Sequence, residues 1–135
     1  MRRLIILVAL VALAASACGG DEGAGDLVTS LDVSMVEFEF DPAESVVPAG
    51  EAITLNLSNA GSIEHNWVVL ASGAKIEAES ELDESMIYFE GLLNPGEAET
   101  FTFTAPAPGG YQVICDVPGH FTAGMEGRLR VVDNG

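Results

Sequence analysis

Short stretches of alternating apolar and polar residues, separated by Pro and Gly, occupy most of the chain from residue 31 onward. Ile53, Leu55 and Leu57, for example, alternate with Thr, Asn and Ser. A period of two places every second side chain on one face, which is typical of a half-buried strand. Because many short strands divided by Gly/Pro turns are typical of sandwiches and barrels, the pattern predicts an all-β domain of that kind.

Two segments depart from this alternation. The buried parity set by Leu31, Val33 and Met35 changes to the opposite parity at Val36, Phe38 and Phe40, which predicts a bulge or a strand break between Met35 and Val36. The second segment covers residues 71–90, where apolar residues have a loose helical spacing within an acidic stretch. There we expect one short helix or an acidic insertion, around residues 75–88.

One Cys, one His and one Met lie five residues apart near the end of the chain, at Cys115, His120 and Met125. Tyr111 and Val113 share the parity of Cys115, so its side chain is expected on the inward face of its strand. The following loop contains Pro and Gly before His120 and a Gly before Met125. This loop would therefore deliver three side chains to one end of the sandwich.

These residue types suit a single copper ion. A thiolate and a thioether favour Cu(I), whereas imidazoles accept Cu(I) or Cu(II), and His65 is the one remaining histidine of the chain. Structural zinc is the main competing metal, but it prefers four strong nitrogen or sulfur ligands. With four protein ligands the ion has no open position, which argues against an enzyme and favours a one-electron carrier.

The sequence Cys115-x₄-His120-x₄-Met125 resembles the copper loop of the cupredoxins, and most of all that of the auracyanins. The segment around His65 and Asn66 resembles the first-histidine segment shared by auracyanins and azurins. The resemblance covers about residues 36 to 132 and implies a Greek-key β-sandwich with one type 1 copper ion. It further implies that His65 and His120 bind through Nδ1, Cys115 through its thiolate, and Met125 as a long axial ligand.

Three residues next to these expected ligands, Asn66, Asp116 and Glu64, are candidates for supporting or tuning the copper site. In the family, the residue at Asn66 ties the two ligand segments together by hydrogen bonds; the alternative is an ordinary turn residue. Asp116 stands where a Ser or Thr is usual, and Glu64 where azurins have a small residue. Because a poorly solvated carboxylate near copper favours Cu(II), Asp116→Thr should raise the reduction potential, and an unchanged potential would contradict this effect.

Small and apolar residues surround His120 in the sequence, and they suggest a flat patch for electron transfer through its ring. They are Pro118, Gly119, Phe121 and Ala123. Packing in the core is the alternative for Pro118 and Phe121. Trp67 is expected to be a core residue rather than a redox relay, because it lies in an apolar strand.

The start of the chain has the features of a secretion signal. Residues 1–17 combine a basic beginning, a short apolar run and small residues, and the Cys18 that follows resembles the lipid-attachment site of a bacterial lipoprotein. We expect residues 18–30 to form a lipidated Cys and a flexible, acidic, Gly-rich tether, and residues 31–135 to form the domain. Free secretion and a disulfide between Cys18 and Cys115 are the alternatives. Either way the protein is expected outside the cytoplasm, on the periplasmic or extracellular face of the membrane.

Beyond the signal, three basic residues, Lys75, Arg128 and Arg130, stand against 21 acidic ones, a net charge of −18. Such a surface excludes nucleic acid as a partner and would orient a basic redox protein such as a c-type cytochrome; solubility or adaptation to salt is the alternative. We expect a monomer. The second functional hypothesis is an anchored copper storage or delivery protein, but extra Met and His residues for such a role are lacking.

Overall fold

The computed structural model describes residues 27–135 and shows an all-β sandwich, as predicted. The predicted signal and Cys18 lie outside the described residues. Within those residues, no helix has the length and apolar character needed to cross a membrane. The strands are β1 Ser30–Val36, β2 Glu39–Asp41, β3 Glu44–Pro48, β4 Ala52–Asn59, β5 His65–Leu70, β6 Ile87–Leu93, β7 Ala98–Thr104, β8 Gly109–Ile114 and β9 Glu126–Val132.

The strands form two sheets. One has four strands in the order β2-β1-β4-β7, and the other has five in the order β3-β9-β8-β5-β6. Most neighbours are antiparallel, but β1 pairs with β4 in parallel, and β3 with β9. In the larger sheet β8 lies between β9 and β5, with Val68 of β5 opposite Ile114 of β8. This order puts the start of β5 and the end of β8 at the same end of the sandwich.

Apolar side chains from the two sheets form one core between them. The predicted alternation holds in β4, where Ile53, Leu55 and Leu57 are buried. Trp67 is also buried, with its ring near those of Phe89 and Phe103, so it is a core residue as expected.

The change of parity after Met35 corresponds to the end of a strand. Strand β1 ends at Val36, and a tight turn at Glu37 and Phe38 leads into β2. Phe38 has a left-handed φ of 69° and is 41% exposed, whereas Phe40 is buried. A strand break was therefore predicted correctly, but it follows Val36 rather than lying between Met35 and Val36, which are both paired with β2. The alternation of Phe38 with Phe40 did not indicate a shared buried face.

The acidic segment after β5 forms two 3₁₀ helices of three residues each, Glu79–Glu81 and Glu84–Met86. The single short helix expected there is thus replaced by two shorter turns, and residues 87–90 begin β6 instead. Local bonds from side chains to the backbone accompany both turns: Asp83 accepts from the N–H of Ser85, and Glu81 accepts from that of Ala78. Such local bonds stop each turn early.

This segment also covers the outer face of the five-stranded sheet. Ile76 is buried there against Val68, Leu70 and Ile114, and Leu82 packs on the same cluster. Because this cluster and the main core bury opposite faces of β5, all six residues of the strand are buried. The strand that begins with His65 is consequently one of the most constrained parts of the domain.

Candidate metal centre

The loop between β8 and β9 folds back on itself. Cys115 directly follows β8 and is fully buried, and its N–H donates to the carbonyl of Met125. The N–H of Met125 in turn donates to the carbonyl of His120 over 3.0 Å. Gly119 and Gly124 take left-handed φ angles of 88° and 102°, which other residues rarely adopt. The loop therefore closes with Cys115, His120 and Met125 together at the end of the sandwich.

His65 reaches the same end from a different strand. It is the first residue of β5, next to β8 in the sheet, and it is fully buried. Its Nδ1 lies 3.2 Å from Nδ1 of His120 and 4.0 Å from Sγ of Cys115. Nδ1 of His120 lies 3.4 Å from the same sulfur. The structure thus brings His65, Cys115 and His120 into one buried cluster, with the buried Met125 on the same loop.

The chemistry of this cluster fits a cation. Burial lowers the pKa of His65, so its imidazole is neutral and offers a lone pair. Burial also raises the pKa of the Cys115 thiol, which leaves the thiolate in need of a positive neighbour. The two imidazole nitrogens face each other at 3.2 Å, and a sulfur atom lies beside them. All three atoms could bind the same metal ion, of a kind that accepts both nitrogen and sulfur ligands.

Comparison with known proteins agrees with this geometry. Residues 27–132 match the copper-binding proteins of the plastocyanin/azurin family. The chain belongs to this family. Its cofactor is one type 1 copper ion, and the clustered side chains described above lie near one another, as a ligand set for this ion would.

Auracyanins are among the relatives of this cupredoxin. Auracyanin-A of Chloroflexus aurantiacus is 33% identical over 96% of both chains. Auracyanin-B of the same organism is 32% identical over 63% of this chain and 43% of its own. The crystal structure of dithionite-reduced auracyanin from Roseiflexus castenholzii has a TM-score of 0.70 at 31% identity, and covers 78% of this chain and 98% of that one.

Asn66 links the two segments that carry the clustered residues. Its Oδ1 accepts from the N–H of Asp116 over 2.9 Å, and its Nδ2 donates to the carboxylates of Asp116 and Glu90. Its backbone N–H points at Sγ of Cys115, 3.5 Å away. The half-buried Asp116 is thus bound to Asn66, whereas Glu64 is exposed.

Two residues near the cluster were not identified from the sequence. The ring of Phe38 lies edge-on to that of His120, with 5.2 Å between their centroids. Oε1 of Glu37 lies 3.4 Å from Nε2 of His65. The parity change after Met35 indicated a turn here, but nothing in the sequence indicated that this turn meets the histidines.

The proposed transfer patch is only partly a surface. Pro118, Gly119 and Ala123 are exposed, and His120 is 6% exposed. Phe121 is half-buried and packs on the cluster around Ile76. Of the four residues proposed for the patch, Phe121 is therefore a packing residue, which was the alternative expected for it.

A third unexpected contact joins the acidic segment to the loop. The carboxylate of Glu79 accepts from the N–H groups of Gly119 and Thr122, both over 3.1 Å. These two residues flank His120. The acidic segment therefore restrains the loop as well as covering the outer face of the sheet.

Removal of this restraint should change the acid stability of the domain. The N–H of Gly119, above all, lowers the pKa of Glu79 from its usual 4.5. A carboxyl group with a lowered folded-state pKa stabilises the fold above its unfolded pKa, and this contribution is lost as the pH falls through the folded value. Glu79→Gln should therefore be less stable than the wild type at pH 7, and the difference should shrink below pH 4.5.

Urea unfolding of both proteins at pH 7 and at pH 3.5 checks this expectation. Glu99→Gln, in which an exposed strand carboxylate is neutralised, corrects for the loss of one negative charge from an acidic protein. If Glu79→Gln and Glu99→Gln change the free energy of unfolding equally at pH 7, the hydrogen bonds of Glu79 to Gly119 and Thr122 contribute nothing to stability.

Proposed function

We propose that this cupredoxin is a one-electron carrier whose copper ligands are His65, Cys115, His120 and Met125. The observation that carries this proposal is the convergence of the two Nδ1 atoms and Sγ within 4.8 Å in a buried pocket. The copper ion would supply the chemistry, the gain and loss of one electron.

The contribution of the protein to this function is to hold the proposed ligands in a fixed arrangement. The loop is closed by the hydrogen bonds of Cys115 and Met125, tied to β5 by Asn66 and restrained by Glu79. Donor atoms that cannot move far favour electron transfer, since little rearrangement accompanies a change of oxidation state. Asp116 and Glu64 are proposed as the acidic neighbours of the site, Asp116 through its bond to Asn66.

Electrons would pass through His120, whose ring is close to the surface. The surroundings of this ring are small or apolar: Pro118, Gly119 and Ala123 on its own loop, and Phe38 from the β1–β2 turn. Redox partners dock through small, weak interfaces that part after each transfer. A basic partner such as a c-type cytochrome suits the acidic charge, and lipidation at Cys18 would hold the carrier at the periplasmic or extracellular face of the cell membrane.

Addition of Cu(II) to the purified chain tests the proposal. We expect one equivalent to bind, an intense visible band, the EPR signal of a type 1 site, and reversible one-electron reduction. A colourless protein with ordinary tetragonal Cu(II) signals would refute it. Slow loss of copper to a chelator would distinguish a carrier of electrons from a copper delivery protein.

A charge placed on the proposed docking patch should slow transfer. Acidic groups away from the patch attract a basic partner, whereas a carboxylate within it must lose its water when the apolar surface is covered. Ala123→Asp adds such a carboxylate beside His120, on an exposed side chain, and should lower the bimolecular rate with a basic c-type cytochrome about tenfold. Stopped-flow spectroscopy measures this rate, and the visible spectrum should not change. Ala52→Asp is the control, because it adds the same charge to an exposed position at the start of β4, away from the proposed patch. Equal transfer rates in the two variants would exclude electron transfer through this patch.

A further inference from the structure

The second nitrogen of His65 lacks an obvious partner. Its Nδ1 faces Cys115 and His120, so its proton belongs on Nε2. Nε2 is fully buried and makes no hydrogen bond of good geometry with the described residues. Because a buried N–H without a partner is costly, this atom calls for an explanation.

Glu37 offers the nearest acceptor. Its Oε1 lies 3.4 Å from Nε2 of His65. The same oxygen accepts from the N–H of Ser62 over 2.6 Å and from that of Ile63 over 3.2 Å. The carboxylate is thus held in place by the backbone just before His65.

Gly61 makes this approach possible. A Cβ atom at position 61 would lie 2.5 Å from Oε1 of Glu37 and 3.0 Å from Nε2 of His65. Both distances are below ordinary contact, so a residue with a Cβ atom here would displace the carboxylate end of Glu37 from its place beside the ring. The turn before β5 therefore has the shape that a carboxylate–imidazole pair requires.

We infer that Glu37 is a positioning residue for His65: its carboxylate accepts the Nε2–H, fixes the orientation of the ring and stabilises the Cu(II) state. A carboxylate behind a metal-bound imidazole makes that imidazole more basic and fixes which nitrogen carries the proton. The inference rests on the proposed role of His65 as a ligand. Glu37 is contributed by the β1–β2 turn, so a third segment of the chain acts on the site.

The reduction potential of the copper-loaded protein tests the inference. Glu37→Gln keeps the shape and an acceptor oxygen but removes the charge. It should remain blue, and its potential should rise by at least about 59 mV, which is a tenfold shift in preference toward Cu(I). Glu39→Gln removes an equal charge from an exposed side chain of the same hairpin and should move the potential far less.

Gly61→Ala provides an independent test, since it displaces the carboxylate but keeps its charge. It should raise the potential in the same direction as Glu37→Gln. In the Cu(I) wild type, NMR should show a His65 Nε2–H proton that exchanges slowly with water, and this proton should exchange faster in Gly61→Ala.

The outcomes separate the two claims. If the wild type is blue but Glu37→Gln shifts the potential no more than Glu39→Gln does, the inference is wrong. A rapidly exchanging Nε2–H in the Cu(I) wild type overturns it as well, even if a variant fails to fold. If the wild type itself is not blue, the proposed function fails instead.

Discussion

Cys115→Ser is expected to abolish the intense visible absorption of the copper-loaded protein. The Cys115 sulfur lies 3.4 Å from Nδ1 of His120 in a fully buried position, so nothing in the described chain can replace it there. A serine oxygen is a hard, weakly acidic donor that suits Cu(I) poorly. Copper affinity should also fall about 100-fold or more, beyond what loss of an outer hydrogen bond causes. Visible spectroscopy and competition with a chelator measure the two effects.

Cys18→Ser is the matched control. It removes the second cysteine of the chain, so the colour should persist if Cys18 is a lipid attachment site. An intense blue band retained in Cys115→Ser would contradict the proposed ligand set. A free thiol count of zero in the copper-free wild type would instead support the disulfide between Cys18 and Cys115.

Trp67→Ala is expected to cost about 3–5 kcal/mol of the free energy of unfolding. Trp67 is 2% exposed and lies between aromatic rings of both sheets, 6.2 Å from Phe89 and 6.0 Å from Phe103 by ring centroid. Its removal leaves a cavity that backbone pairing of β5 with β6 and β8 prevents from collapsing. Urea unfolding of the copper-free protein measures the change.

Leu92→Ala is the control on the neighbouring strand, opposite Asn66 in the sheet. Leu92 is 49% exposed, so its truncation should change the stability by about 0.5 kcal/mol or less. Similar urea midpoints of unfolding for the two variants would show that burial of Trp67 contributes little to the stability of the domain.

Several features of the domain follow from local sequence. Alternation identified β4 and the inward face of β8, because a strand half buried in a sandwich must alternate. The Cys115 loop could be recognised because its three chemical side chains and its glycines are close in sequence. The break near Met35 could be predicted because a change of parity within one strand would turn its apolar side chains toward solvent, unless the strand ends there.

Other features depend on contacts between distant segments. The loose helical spacing within residues 71–90 was misleading at its end, because Phe89 lies in β6 and faces the core beside Trp67. The parallel pair of β3 with β9 joins segments more than 80 residues apart and leaves no local signal. Glu79 looked like one acid among many until its bonds to the His120 loop appeared.

The sequence by itself determined the chemistry of the site: two imidazoles, one thiolate and one thioether, three of them on a single loop. Residue type and local spacing suffice for that, since they limit which metal can bind. Only the tertiary structure decided what surrounds those donors. The order of strands brings His65 beside Cys115, and the β1–β2 turn brings Glu37 behind His65. Such contacts arise from how whole sheets pack, which no short stretch of sequence specifies.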